Sequence, residues 1–317
     1  MQDGVDFVEP DLVMTKDGVL VARHENEISG TTDVAQRPEF ESRRTTKTID
    51  GIAHTGWFTE DFTLAELKTL RARERIPDIR PGNTRFDGQF QIPTLDEICA
   101  LVAGVQQQRE MTAKQLGLPP PKRIGVYPET KHPTYFQGLD LAMETVLVDT
   151  LHRSGYEGRD GLGIIQCFEV SNLEAMRKLT DLPIVQLMED EGAPFDFVAK
   201  GDRRTYRDMI TPAGLAEIAT YATAIGPHKS QVIPLGADER LGTPTSLIND
   251  AHAAGLQVHA YTFRAENRYL PKDLRSSADP NALGDLQREL RAYLEAGLDG
   301  FFTDHADYGV RARDAFV

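Results

Sequence analysis

Apolar residues follow two alternating patterns along most of the chain. Short runs that are apolar almost throughout predict strands at 123–129, 163–168, 183–188, 224–227, 257–263 and 300–304. Between them, apolar residues spaced three or four apart predict helices at about 94–107, 134–153 and 245–254, others beginning near Ser171 and Thr211, and a leucine stripe over 283–294. Thr94 and Ser171 each precede a glutamate by three residues, which is the spacing of a capping box.

Continuous apolar strands separated by amphipathic helices are typical of a parallel sheet covered by helices. With an opening strand at about 5–13, the chain has seven such strands, one fewer than a (β/α)8 TIM barrel. Asp3-Gly4 resembles the end of a helix. We therefore expect an α/β TIM-type barrel, N-terminally truncated so that its first strand and helix are missing, forming one domain over 1–317. The alternative is an open doubly wound sheet, which would favour a glycine-rich loop after its first strand, and the sequence has none there.

Three connections are too long for ordinary loops: 25–93, 189–210 and 264–282. Each follows the carboxyl end of a predicted strand, which is the active-site face of a barrel. The segment 25–93, a large insertion after the second strand of the expected barrel, contains its own capping box, Thr63 with Glu66. We expect it to form a lid subdomain over a pocket.

Composition narrows the function classes. The 317 residues are 40% hydrophobic and 26% charged, with a net charge of −14, which argues against nucleic-acid or anionic-membrane binding. No window approaches 18 apolar residues, so no membrane span is expected. Cys99 and Cys167 lie within apolar patterns and are expected to be buried thiols. The first residues show neither the basic segment nor the apolar segment of a secretion signal.

Carboxylates mark the ends of two predicted strands. Glu9 and Asp11 lie two positions apart on the opening strand, and Glu129 ends "YPE", with Lys131 two residues on. Paired carboxylates on a buried strand repel each other and need a cation, so they predict a site for a divalent ion such as Ca²⁺ or Mg²⁺. A salt bridge to Arg or Lys is an equally good explanation of the pair. Lys131 suits an anionic phosphate, or serves only as a counter-ion to Glu129.

Histidines supply the candidate acid–base groups. His24 ends the strand "VLVA" just before the large insertion, where it could act as a general acid or base. His259 lies on a late strand, with Tyr261 near its carboxyl end. The loop histidines are expected to be exposed or to make local hydrogen bonds; they are His54, His132, His228 and His305.

The segments "EPDLVMTKDGVLVARHENEISGTTDV", "YPETKHP", "QCF", "VHAYTFR" and "FFTD" resemble the glycerophosphodiester phosphodiesterases, in particular the long bacterial periplasmic type. The resemblance implies a TIM barrel and hydrolysis of small glycerophosphodiesters to an alcohol and sn-glycerol 3-phosphate. It implies Ca²⁺ as the metal, with Mg²⁺ left open, and a periplasmic or secreted location for the complete family member. The implied roles are metal ligands for Glu9, Asp11 and Glu129, catalysis for His24, and substrate binding for Lys131, Gln166, Phe168, His259 and Tyr261.

Two departures from the family pattern stand out. The residue after the catalytic histidine is usually Asp and is Glu25 here. The His-Arg pair of the family's first strand and a following Glu are not found, so we expect the chain to start within the fold and to turn over poorly. The alternatives are a non-catalytic truncated paralogue that binds phosphodiesters, and a glycoside hydrolase, which the single Trp and Lys131 disfavour. Head-group preference and oligomeric state have no readable signal.

Overall fold

The structure is a computed structural model that describes residues 4–159 and 161–316. It divides into two compact units. The N-terminal unit consists of Phe7–Ile164 with Lys178–Leu182, and the C-terminal unit of Ile165–Arg177 and Pro183–Val317 with the segment before Phe7. Both units combine short parallel strands with helices, so each is of the α/β class.

The strands of the N-terminal unit are β1 (Phe7–Val8), β2 (Asp11–Met14), β3 (Leu20–Ala22), β4 (Thr45–Ile49), β5 (Ile52–Gly56), β6 (Gly125–Val126) and β7 (Glu129–Thr130). β1 pairs with β6 and β2 with β7, both in parallel, and β3 runs antiparallel to β2. The predicted opening strand is thus interrupted at Pro10, which has no N–H to donate to a ladder. The predicted strand over 123–129 is also divided in two, into β6 and β7. Glu129 belongs to β7.

The helices of this unit are α1 (Leu64–Leu67), α2 (Leu95–Leu116), α3 (Pro133–Gln137) and α4 (Glu144–Arg153), with 3-10 turns at Val34–Gln36, Pro38–Arg43, Thr59–Asp61 and Pro81–Phe86. The capping boxes predicted at Thr63 and Thr94 are both present. The single helix predicted over 134–153 is wrong. It is interrupted after α3, where Asp140 takes a left-handed backbone with φ 58° that a helix cannot continue.

The C-terminal unit contains the strands β8 (Ile165–Cys167), β9 (Ile184–Met188), β10 (Ala224–Pro227), β11 (Gln257–Phe263) and β12 (Gly300–Thr303). They are parallel and pair in chain order. These five strands agree with the predicted ones to within two residues at each end. They are easily read from the sequence because β8, β9 and β10 are buried at every position.

Helices of this unit follow its strands: α5 (Val170–Arg177), α6 (Phe195–Lys200), α7 (Tyr206–Met209), α8 (Pro212–Ile218), α9 (Lys229–Val232), α10 (Leu247–Ala253), α11 (Leu286–Glu295) and α12 (Ala306–Phe316), with 3-10 turns at Asn267–Tyr269 and Lys272–Leu274. Thr211 caps α8 with Pro212 as its first residue, as predicted. The capping box predicted at Ser171 is wrong. That hydroxyl lies within α5 and donates to Asp196 Oδ2 at 2.7 Å.

Cys99 and Cys167 are buried thiols, as the apolar pattern predicts. Across the part of the chain that the structure describes, no helix is both long and apolar enough to cross a membrane.

Candidate active site

Three carboxylates meet at the start of β2 and β7 in the N-terminal unit. Asp11 is the first residue of β2 and lies opposite Glu129, the first residue of β7, while Glu9 precedes β2 by two positions. One oxygen of each side chain lies within 4.8 Å of the others. Glu9 is exposed, Asp11 is half-buried and Glu129 is buried, so the cluster extends from the surface into the unit.

Lys131 lies against this carboxylate cluster. Its Nζ is 2.7 Å from Glu129 Oε1 and 3.2 Å from Asp11 Oδ1, with only 11% of the side chain exposed. Burial raises the pKa of Glu129 to about 8, against the opposing charge of Lys131. Burial also works against the charge on Lys131, but Glu129 and Asp11 more than offset it and raise the pKa of the ammonium. Of the two roles that the sequence left open for Lys131, the structure shows that of counter-ion to Glu129, which it shares with Asp11.

The donor set fits a hard divalent cation. When all three carboxylates are ionised, they leave the cluster with a net charge of −2 after Lys131 is counted, which one divalent ion neutralises. Carboxylate oxygens are the ligands that Ca²⁺ and Mg²⁺ prefer. Glu9, Asp11 and Glu129 would hold the ion, and the chemistry it supplies when bound is polarisation of a phosphoryl oxygen.

His24 lies two residues after β3 and is directed toward the same cluster. Its Nε2 is 3.5 Å from Lys131 Nζ, and its Nδ1 is 2.7 Å from Glu25 Oε1. A carboxylate that accepts a hydrogen bond from Nδ1–H orients the ring and leaves Nε2 to exchange a proton with substrate. The histidine predicted to be catalytic therefore adjoins the lysine predicted to bind phosphate, although the two are 107 positions apart in the chain.

His132 is the site residue that the sequence pattern missed. It was expected to be exposed or to bond locally, but only 19% of its side chain is exposed and both of its partners are distant in sequence. Nδ1 contacts Asp50 Oδ2 at 2.6 Å, and Nε2 contacts Glu25 Oε2 at 3.2 Å. Its position beside Lys131 in "YPETKHP" was the one signal available.

Burial opposes the charge on His132, but the carboxylates of Asp50 and Glu25 outweigh it and raise its pKa to about 9. Burial in turn would raise the pKa of Glu25, but its contacts with His132 and His24 hold it well below its usual range. His132 is thus an imidazolium between two carboxylates at neutral pH.

We expect a pH-dependent contribution of His132 to stability. The folded pKa of about 9 lies above the ordinary value of 6.5, so the stabilisation is complete below pH 6.5 and is lost as the pH rises through 9. The difference in free energy of unfolding between the wild type and His132→Asn should therefore be larger at pH 6 than at pH 9.5 in urea titrations. An equal difference at the two pH values would contradict the charged form of His132.

The four other predicted substrate-binding residues lie in the C-terminal unit. Gln166 is buried within β8, and Phe168 follows that strand. The Phe168 ring lies edge-on to Tyr261, with centroids 5.9 Å apart, and the Tyr261 hydroxyl donates to Met188 O at 3.0 Å. His259 packs over Gly300, and burial lowers its pKa to about 4 although Asp299 opposes the shift. The imidazole of His259 is therefore neutral at pH 7, and Phe168 and Tyr261 form an aromatic pair in the same unit.

Comparison with known proteins identifies the family. The model of the glycerophosphoryl diester phosphodiesterase family matches residues 1–308. The chain is 35% identical over 316 residues to the Arabidopsis thaliana glycerophosphodiester phosphodiesterase GDPD6, an alignment that covers 96% of this chain and 77% of the relative. Both findings agree with the resemblance carried by the E-x-D and histidine segments.

Solved structures support the fold. A Silicibacter pomeroyi protein described as a glycerophosphoryl diester phosphodiesterase superposes with a TM-score of 0.63 at 19% identity, covering 99% of this chain and 85% of the other. A phosphodiesterase of Oleispira antarctica, solved with the product sn-glycerol-3-phosphate, gives 0.55 at 19% identity, covering 99% and 86%. The α/β TIM-barrel fold class is thereby confirmed, whereas a missing first strand and the lid boundaries at 25–93 stay predictions. The chain belongs to the glycerophosphoryl diester phosphodiesterase family of hydrolases.

Proposed function

We propose that the protein hydrolyses small glycerophosphodiesters to an alcohol and sn-glycerol 3-phosphate in a reaction that depends on a divalent cation, preferentially Ca²⁺. The observation that carries the proposal is the cluster of Glu9, Asp11 and Glu129 within 4.8 Å, with Lys131 against it. The name of the Arabidopsis relative and the product bound to the Oleispira phosphodiesterase support the choice of substrate.

In the proposed reaction, Lys131 binds the phosphoryl group and His24 protonates the leaving alcohol. Lys131, anchored by Glu129 and Asp11, presents its ammonium to the negatively charged phosphoryl oxygens and holds the substrate at the cluster. His24 Nε2, beside Lys131, donates a proton to the alcohol oxygen as its bond to phosphorus breaks. The oxygen of a water molecule bonds to phosphorus in the same displacement, and the proton that this water loses to solvent balances the one given by His24. Glu25 orients the ring for this transfer, because its carboxylate lies 2.7 Å from Nδ1. The alcohol then leaves with a protonated hydroxyl group rather than as an alkoxide.

The first test is release of glycerol 3-phosphate from glycerophosphocholine by the purified chain with Ca²⁺, with Mg²⁺ and with EDTA. We expect turnover that EDTA abolishes and that Ca²⁺ restores better than Mg²⁺. Turnover that survives EDTA would exclude the role proposed for the carboxylate cluster. Calcium binding by calorimetry without turnover of any glycerophosphodiester would favour the non-catalytic alternative. A periplasmic or secreted location stays a prediction of the sequence resemblance.

A further inference from the structure

A row of four side chains runs from the tip of the β4–β5 hairpin to His24, the candidate general acid. Asp50 contacts His132 at 2.6 Å, His132 contacts Glu25 at 3.2 Å, and Glu25 contacts His24 at 2.7 Å. We propose that Asp50 and His132 are positioning residues that hold Glu25, and through it the His24 ring, in the orientation needed to protonate the leaving alcohol. The inference rests on the proposed function and assigns to it two residues beyond the metal and phosphate contacts.

Exposure explains why His24 needs such support. The side chains of His24 and Glu25 are 53% and 46% exposed, so packing alone does not fix their rotamers. His132 and Asp50 are only 19% and 25% exposed. His132 and Asp50, the inner pair, are therefore the ordered end of the row. The orientation of His24 and Glu25, the outer pair, depends on them.

The backbone at both residues of the inner pair, Asp50 and His132, has an uncommon positive φ. Asp50 and Gly51 form the two-residue turn between β4 and β5, and both have positive φ, 49° and 82°, a conformation that Asp-Gly suits. His132 also has positive φ, 52°, although it precedes Pro133, where an extended backbone is the rule. Such conformations persist where the surroundings over-determine them, and they concentrate at functional sites. At His132, the ionic contacts of the ring with Asp50 and Glu25 hold the backbone in this conformation.

One buried carboxylate, that of Glu60, contacts all three chain segments that contain the residues of the row. Glu60 accepts hydrogen bonds from Lys47 Nζ at 2.9 Å, Asn26 Nδ2 at 3.1 Å and Tyr135 OH at 2.5 Å. Lys47 is three residues from Asp50, Asn26 adjoins Glu25, and Tyr135 is three residues from His132. Each partner of the row is thus anchored, within three residues, to the same buried group. This frame restricts relative motion of the three segments, which a positioning role requires.

The test compares two phosphodiesters that differ in their need for an acid. Choline leaves glycerophosphocholine as a poor leaving group that must be protonated, whereas p-nitrophenolate leaves bis(p-nitrophenyl) phosphate as a stable anion. We expect His132→Asn and Asp50→Asn to lower kcat for glycerophosphocholine about 10- to 100-fold, the range of positioning contacts at other sites. The rate for bis(p-nitrophenyl) phosphate should change less than about 3-fold, because the metal and lysine contacts are untouched. Asn enters the left-handed backbone region readily, so neither variant forces a new conformation.

His54→Asn is the matched control, since His54 lies on β5 of the same hairpin and outside the row. It should leave both rates unchanged. Equal losses on the two substrates, or no loss on either, in the His132 and Asp50 variants would overturn the positioning role.

A second measurement keeps the outcomes separable from the proposed function. If the wild type hydrolyses neither phosphodiester with Ca²⁺, the proposed function fails, and NMR relaxation of the His24 ring tests the row directly. An increase in ring mobility in His132→Asn but not in His54→Asn supports positioning. Unchanged mobility of the His24 ring in all variants overturns it.

Discussion

Glu129→Gln is expected to abolish calcium binding and to lower kcat/KM for glycerophosphocholine about 10³-fold or more. The change removes a carboxylate that the ion would hold in its ionised form, while the amide keeps the volume of the side chain. Stabilisation of phosphoryl charge by a bound cation is worth several kcal/mol, and each 1.4 kcal/mol or so is a factor of ten in rate. Calorimetric titration with Ca²⁺ and a glycerol 3-phosphate assay measure the two effects on the same preparation.

Glu144→Gln is the matched control for the loss of a buried carboxylate in the same unit. Glu144 is 7% exposed and begins α4, and it is not one of the three clustered carboxylates. Its variant should bind Ca²⁺ as the wild type does, with activity within a few-fold, whatever happens to its stability. Retention of calcium affinity in Glu129→Gln would place the metal elsewhere. Equal loss in both variants would indicate a folding defect rather than a lost ligand.

His24→Ala is expected to lower kcat for glycerophosphocholine about 10²- to 10⁴-fold, the range associated with a lost general acid. The side chain is largely exposed, so its removal creates no cavity and should leave stability unchanged. Because p-nitrophenolate needs little protonation, the loss on bis(p-nitrophenyl) phosphate should be at least about tenfold smaller. Steady-state kinetics on the two substrates give the comparison.

The control for His24→Ala is His54→Ala, in which a histidine of the same unit is lost from a strand of the β4–β5 hairpin. It should match the wild type on both substrates. A His24 variant that loses rate equally on the two phosphodiesters would be acting through substrate binding or the metal. In that case, the role of general acid would pass to another group.

The hydrophobic pattern predicts the C-terminal unit better than the N-terminal one, for a physical reason. Parallel strands buried at every position leave a strong apolar signal, and three of the five strands of that unit, β8, β9 and β10, are of this kind. In the N-terminal unit, Pro10 interrupts the opening strand and Asp140 the helix predicted over 134–153. Local backbone constraints of this kind shorten elements without changing the apolar spacing. The predicted capping boxes also differ in outcome. The box at Thr94 forms, whereas the hydroxyl of Ser171 bonds to Asp196 instead.

The family, the alternation of strands and helices, and the residues expected to bind metal and phosphate all follow from the pattern of residues along the chain. Those residues lie in two short segments, so their spacing could be read along the chain. Only the tertiary structure showed that His132 and Asp50 extend the site, because their contacts join positions 82 and 107 residues apart. Linear spacing carries no information on such pairs. They arise when the hairpin of the insertion and the segment after Glu129 are held to one buried carboxylate, Glu60, and that arrangement exists only in the folded chain.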